Sequence, residues 1–212
     1  HAYESTKTVQ GAKFNGLGFE TYTNVSNFVS NNTLRYQKTW DRHNMELMGG
    51  YSFEKRQTRT SFIRGQDFAD PSLQYLNSAS TIVSASSSGL DEGIRSFFGR
   101  LNYNFANKYI VSISGRSDAS TRFGLNNRSG FFPSASVAWR LSEEDFIKNI
   151  PTISQLKIRS SYGLTGNNDI SPFLYAPLYG VGDSYGGQPG ISPQSIPNPD
   201  LKWESTVQYN GG

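Results

Sequence analysis

The chain has 212 residues, no cysteine and a formal charge of +3 spread along its length, which excludes a disulfide framework, a thiolate metal site and a basic nucleic-acid surface. Only 35% of the residues are hydrophobic while 14% are aromatic, so rings carry much of the apolar character, a bias that suits strands joined by polar loops. No stretch approaches the roughly 18 to 20 consecutive apolar residues of a membrane-spanning helix. A β-barrel is untouched by that exclusion, because its strands alternate apolar and polar residues.

The chain opens at His1 without an initiating Met or a signal peptide, and it ends at Asn210-Gly211-Gly212 directly after a strand-like segment, so both ends read as cuts inside a longer protein. Residues 17–29 form a weak strand candidate. After a short link at 30–32, Leu34, Tyr36 and Trp40 oppose Arg35, Gln37 and Thr39 with a period of two. Beyond 41–43, Met45, Leu47, Tyr51 and Phe53 oppose Asn44, Glu46 and Ser52. Residues 56–94 read as a long loop. From Arg95 onward one face carries Phe97, Gly99, Leu101, Tyr103 and Phe105, and the other carries Ser96, Arg100, Asn102 and Asn104, with Phe98 as the misfit. The three residues 106–108 predict a tight hairpin turn into Tyr109, Val111 and Ile113, opposed by Ser112, Ser114, Arg116 and Asp118. Phe131, Pro133, Ala135, Val137, Trp139 and Leu141 then oppose Ser134, Ser136, Ala138 and Arg140. Leu156, Ile158, Tyr162 and Leu164 oppose Lys157, Arg159, Ser161 and Thr165, and Leu201, Trp203, Val207 and Tyr209 oppose Lys202, Glu204, Thr206 and Gln208.

The runs are about 9 to 13 residues long, close to the span of a tilted membrane strand and longer than the ~5 to 6 residues usual in soluble sheets. The links at 41–43, 106–108 and 142–155 fall on one side. Those at 56–94, 119–130 and 167–200 fall on the other and are long, with 30–32 a short exception. Barrels of outer membranes sort their connections in this way, with short periplasmic turns and long external loops. Within 142–155, Ser142 is placed to cap a short helix, Glu143, Glu144 and Asp145 suit its positive end, and Pro151 follows its stop. The Gly- and Pro-rich 167–200 segment reads as an irregular ordered loop or a lid, not a strand. Tyr103, Phe105, Tyr109, Phe131, Trp139, Trp40 and Tyr209 lie near run ends, where interfacial girdles sit, although aromatics are common in every sheet. These features predict an all-β, antiparallel transmembrane β-barrel segment of about eight strands.

The segments Asn102-Tyr103-Asn104-Phe105-Ala106-Asn107-Lys108-Tyr109, Gly115-Arg116-Ser117-Asp118-Ala119-Ser120-Thr121-Arg122-Phe123-Gly124 and Gly130-Phe131-Phe132-Pro133-Ser134-Ala135-Ser136-Val137-Ala138-Trp139-Arg140-Leu141-Ser142-Glu143-Glu144-Asp145-Phe146 together resemble the barrel of SusC/RagA-type TonB-linked outer-membrane proteins. So do Leu156-Lys157-Ile158-Arg159-Ser160-Ser161-Tyr162-Gly163-Leu164-Thr165-Gly166-Asn167 and Asn198-Pro199-Asp200-Leu201-Lys202-Trp203-Glu204, so that the match is strongest from about residue 94 onward. The resemblance implies a barrel of about twenty-two strands, an N-terminal plug, a segment that engages TonB, and a SusD-like surface lipoprotein that helps capture oligosaccharides or peptides. Plug and TonB-contact motifs do not occur in these 212 residues, so residues 1–212 would form part of one barrel domain in the outer membrane of a Gram-negative bacterium. Where the family generally has Gly after the Asp corresponding to Asp118, this chain has Ala119, which puts the following backbone in question.

Arg100, Arg116, Asp118, Arg140, Lys157, Arg159, Lys202 and Glu204 fall on polar faces, which a barrel turns toward its lumen, where they would contact a plug or substrate or pair with one another. Arg116, Asp118 and Arg122 are close enough in sequence for a salt-bridge knot that fixes the adjoining loop. Phe173, Tyr175, Tyr179 and Tyr185 would stack on a sugar, pack on the lipoprotein or form the loop's own small core. His1 and His43 are too separated for a metal site, and Asp67, Asp70, Asp91 and Glu92 lack calcium-loop spacing. No nucleophile elbow, phosphate loop or zinc signature occurs, so neither enzymatic chemistry nor a cofactor is expected. The expected role is the wall and external loops of a TonB-dependent nutrient importer. The alternatives are a secreted β-sandwich glycan-binding module and a passive porin.

Overall fold

A computed structural model describes residues 2–212, apart from the side chains at positions 182, 183, 185 and 189. Its main sheet has eight strands in the order β1 (Ala2–Glu4), β2 (Leu17–Trp40), β3 (His43–Phe68), β4 (Ala79–Phe105), β5 (Tyr109–Ser120), β6 (Ser129–Arg140), β7 (Lys157–Asn167) and β10 (Glu204–Gly211). A separate two-stranded sheet pairs β8 (Tyr179–Tyr185) with β9 (Gln188–Pro193). The eight strands are not the eight runs that alternation marks out.

Residues 30–32 are no link: β2 runs through them as one strand of 24 residues. Ser30, Asn31 and Asn32 are polar but include neither Gly nor Pro, and Ser52 Oγ donates to Asn31 Oδ1 at 2.6 Å, so polarity marks a change of surface and not a break. Residues 56–68 and 79–94 are likewise strand where a loop is expected, leaving only 69–78 as a connection, itself containing a 3-10 turn at Leu76–Ser78. The few apolar residues there, such as Phe62 and Ile63 or Ile82 and Val83, fall on both parities among polar ones, which erases the period-two signal without preventing the ladder. The 167–200 segment also contains strand, since β8 and β9 form a hairpin across Gly186 and Gly187, whose φ values of 58° and 81° suit only glycine comfortably.

The chain divides into two compact units. The first comprises His1–Phe28 and Lys55–Asp91. Thr8 caps α1 (Val9–Lys13) by accepting from Gly11 N at 3.0 Å, and Asn15 and Gly16, both at positive φ, turn the chain into β2. Its core is small: Leu17 and Phe68 are buried, and Tyr3 meets Phe68 edge-on at 5.0 Å. Across the strands Asp91 accepts from Arg59 and from Gln57 Nε2, the latter at 2.9 Å.

The second unit comprises Val29–Glu54 and Glu92–Gly212. Its β5 and β6 are 12 residues long and β7 is 11, lengths suited to one tilted membrane crossing. The β4–β5 turn places Ala106 and Asn107 at φ 53° and 58°, and Lys108 N donates to Phe105 O at 3.0 Å, a type I′ geometry whose twist suits a hairpin. Between β6 and β7 a 3-10 turn (Leu141–Glu143) leads into α2 (Asp145–Lys148). Ser142 does not cap this helix. Glu144 occupies the N-cap position, and Ser142 N instead donates to Leu156 O at 3.1 Å, closing the base of the link. Ala119 pairs with Arg95 and Ser129 inside β5, so its backbone is extended and the missing glycine changes nothing there.

Candidate functional site

Alternation and register together give the second unit two unlike faces. On the apolar face the cross-strand partners run Leu101, Ile113, Ala135, Tyr162 and Tyr209. Ile113, Val137, Ile158, Val207 and Tyr209 are exposed there, with no second sheet packed over them among the described residues. A soluble sandwich buries that face, whereas a barrel gives it to lipid. No described helix is long and apolar enough to cross a membrane.

At the short-turn end of the same face the rings form a continuous row. Trp40 stacks on His43 at 5.1 Å, His43 lies 4.8 Å from Phe105, Phe105 6.4 Å from Tyr109, and Tyr109 6.2 Å from Trp139. His43 Nδ1 and the Tyr103 hydroxyl share a hydrogen bond of 2.6 Å. Glu144 closes the row from below: its carboxylate accepts from Lys108 Nζ at 2.9 Å, Tyr109 Oη at 2.8 Å and Trp139 Nε1 at 3.0 Å. The Lys108 ammonium foremost, then the Trp139 and Tyr109 donors, hold the Glu144 carboxyl down at about 2. His43 and Glu144 are the members that sequence reading misses, since a lone His has no pattern and Glu144 resembles a helix-start residue.

The polar face is lined by small hydroxyls. Its rows read Asn102, Ser112, Ser136, Ser161 and Asn210, then Arg100, Ser114, Ser134, Gly163 and Gln208. Ser114 and Ser134 hydroxyls lie 2.7 Å apart, and the rows floor a concavity of about 680 Å³. Phe98, the misfit of alternation, stands on this face with its ring where a side chain on Gly50 would have to be, and the Arg116 guanidinium lies 5.6 Å over it. Phe132 occupies Gly166 in the same manner. Each aromatic covers the backbone that a glycine leaves bare.

Arg116, Asp118 and Arg122 do not form one knot. Arg116 Nε donates to Asp118 Oδ1 at 2.7 Å and Arg116 Nη2 to the buried Ser96 Oγ at 2.8 Å. Arg122 turns elsewhere, donating to Glu92 Oε1 at 2.7 Å, Asp169 Oδ1 at 3.1 Å and Asn168 O at 3.2 Å. Beside it Phe123 is fully buried, 5.1 Å from Trp203, which in turn lies 5.3 Å from Phe132. Trp203 precedes β10 and is therefore released from the strand alternation that assigns it to the apolar face; its Nε1 donates to Arg128 O at 3.1 Å. Asn127 Nδ2 donates to Pro199 O and Asn168 Nδ2 to Ser120 Oγ, each at 3.2 Å, so the loops after β5 and β7 interlock around this aromatic core.

Of the loop aromatics, Tyr175 lies against Gly124 at 3.5 Å from the position of an added Cβ, Phe173 takes a φ of 64°, and Tyr179 opens β8 with its ring exposed. The side chain of Tyr185 lies outside the described residues. Lys202 is exposed before β10, and Glu204 accepts from Asn167 Nδ2 at 3.1 Å. Among the described residues no group of three or more His, Asp or Glu side chains is placed to hold a metal ion.

Comparison with known proteins agrees with this two-faced wall. The chain is 36% identical over 99% of its length to TonB-dependent receptor P3 of Formosa agariphila, of which it covers 22%. It is 40% identical over 55% of its length to TonB-dependent receptor SusC of Bacteroides thetaiotaomicron, of which it covers 12%. A solved structure of the RagAB peptide transporter superposes on 92% of the chain with a TM-score of 0.86 at 28% identity, the chain covering 22% of that protein. The chain thus spans about a fifth or less of the length of these relatives. The family described as TonB dependent receptor-like, beta-barrel matches residues 2–212, and the chain belongs to that family of outer-membrane receptors and transporters.

Proposed function

We propose that the whole protein resides in the outer membrane and actively imports a polar nutrient, an oligosaccharide or a peptide, with residues 2–212 supplying part of the barrel wall and outer loops. The observation that carries the reading is the pair of faces: an uncovered apolar band edged by an aromatic row, backed by a wall of hydroxyls, amides and charges. A membrane wall with a wet interior needs that combination, and neither face alone would require it. In this reading a SusD-like lipoprotein assists capture at the loop end, and TonB supplies the drive through parts of the protein outside these residues. Membership of the TonB-dependent family favours energised import over a passive porin, and the uncovered apolar face disfavours a secreted sandwich. The test is growth of a strain lacking the full gene on a panel of oligosaccharides and peptides. Loss of growth on one class, restored by the gene and abolished by collapsing the proton gradient, is expected. Unchanged growth and uptake across the panel would overturn it.

A further inference from the structure

Between the ring row and the Tyr51–Phe97 pair, the outward face of β2 to β6 in the second unit carries a single charge. Gln37 donates to Glu46 and Thr39 to Asn44 on the polar face, so Leu34, Tyr36, Lys38 and Trp40 point the other way, and Leu34 and Tyr36 are exposed there. The outward positions from His43 to Tyr51, Phe97 to Phe105, Tyr109 to Ser117 and Phe131 to Trp139 hold no Asp, Glu, Lys or Arg. A charge on the lipid side of a barrel is unfavourable in the middle of the band and tolerated near its edges. Lys38 stands two residues, about 6 to 7 Å along the strand, inside the ring row. Its ammonium returns to that edge, 5.8 Å from the centre of the Trp40 ring.

There it meets no counter-charge. Among the described residues no carboxylate lies within ion-pair distance of Lys38, that of Asp41 in the adjoining turn included. A second donor beside it is also open. Trp139 Nε1 donates to Glu144, and Lys108 pairs with the same carboxylate, whereas Trp40 Nε1 has no acceptor among the described residues. One end of the row is neutralised by the protein itself; the other turns an ammonium and an indole N–H outward.

We propose that Lys38 and Trp40 hold the phosphate of a glycerophospholipid in the leaflet at the short-turn end, which in a barrel is the periplasmic one. A phosphodiester has two free oxygens, one for each donor, and a charge that matches the ammonium. The acyl chains would cover Tyr36, Leu34 and Leu47, all exposed on the same face. A free anion could use the donors but not this apolar surface, and an uncharged lipid would leave the ammonium unpaired. The inference rests on the barrel lying in a membrane and not on which nutrient is carried.

The test is native mass spectrometry of the full-length protein, delipidated in non-ionic detergent and then offered phosphatidylethanolamine, phosphatidylglycerol, diacylglycerol or lipopolysaccharide, each with and without inorganic phosphate. The expected result is one tightly retained phospholipid, of either headgroup, that excess phosphate does not displace. Retention should fall about tenfold in Lys38→Gln, the loss of one charge-assisted hydrogen bond. Lys38→Arg should restore it, and Trp40→Phe, which keeps the ring and loses the N–H, should fall between. Heat-resistant barrel mobility on gels should be retained in all three variants. Equal retention by the wild type and Lys38→Gln would overturn the proposal. So would diacylglycerol or lipopolysaccharide held as tightly as phospholipid, or displacement by inorganic phosphate, which would leave a site for a free anion only. Unchanged growth and uptake in the gene-deletion strain, with Lys38-dependent retention intact, would count against the importer reading alone.

Discussion

The two ends of the β4–β7 wall are both held by aromatic rings, and they use them in opposite ways. At the short-turn end Trp40, His43, Phe105, Tyr109 and Trp139 lie side by side on the outside of the sheet, with Trp40, Tyr109 and Trp139 each 38% to 43% exposed, and Glu144 ties down Tyr109 and Trp139 while the Tyr103 hydroxyl holds His43. At the loop end Phe123, Phe132 and Trp203 turn inward, and Phe123 is 0% exposed. The first arrangement makes sense where the surroundings are themselves apolar on one side and wet on the other, the place amphipathic rings favour. The second is a miniature soluble core, built where loops face water and must bury something to stay ordered. One sheet thus answers to two solvents.

Removing Phe123 should break the loop end most. Phe123→Ala empties a fully buried site at a cost of about 3 to 5 kcal/mol, and it should unlock both loops while leaving the strands paired. Hydrogen exchange on the full-length protein in detergent checks this: faster exchange confined to residues 121–128 and 167–203 is expected, and loss of protection in β4–β7 as well would refute the division into two ends. Next in size is Gly166→Val, whose side chain must displace the Phe132 ring; overpacking of this kind costs about 1 to 3 kcal/mol. Gly163→Ala on the same strand meets only an ordinary contact with Ser134 at 3.5 Å and should be nearly neutral by the same measurement.

The short-turn end should instead respond to acid. The Glu144 carboxyl sits at about 2 in the folded chain against an ordinary 4.5, so its contribution is complete above pH 4.5 and disappears as pH falls toward 2. Glu144→Gln keeps an acceptor for Trp139 and Tyr109 but loses the Lys108 ion pair, so the variant should show a smaller fall in barrel stability over that acid window. Equal pH profiles for the two proteins would show that the aromatic row does not depend on this carboxylate.

The same division explains what the sequence makes legible. Alternation places Phe97, Leu101, Ile113, Val137 and Ile158 correctly, because one face meets lipid and the other does not, and register preserves that difference from strand to strand. It fails at residues 56–68 and 79–94, where apolar residues are sparse and fall on both parities, and at 30–32, where polar residues stay within a strand. It also misplaces Trp203, whose position outside β10 frees it from strand parity. The loop core is illegible for a further reason: Phe123 meets Trp203 eighty residues later, and no local period encodes a contact between two loops.

The mildest perturbation distinguishes the core from its electrostatic clasp. Arg122 joins a sheltered Glu92, whose side chain is 15% exposed, to Asp169, which is 91% exposed. Asp169→Asn removes the solvated arm only, and exposed pairs of that kind contribute about 0 to 1 kcal/mol. Arg122→Gln should cost more, since it leaves the Glu92 carboxylate sheltered without its cation and takes a donor from Asn168 O. If the loop end is a packed core with a clasp added, protection of residues 167–203 should fall in the order Phe123→Ala, Arg122→Gln, Asp169→Asn. An Asp169→Asn effect as large as that of Phe123→Ala would mean that the ion pairs hold the loops and the rings merely fill the space between them.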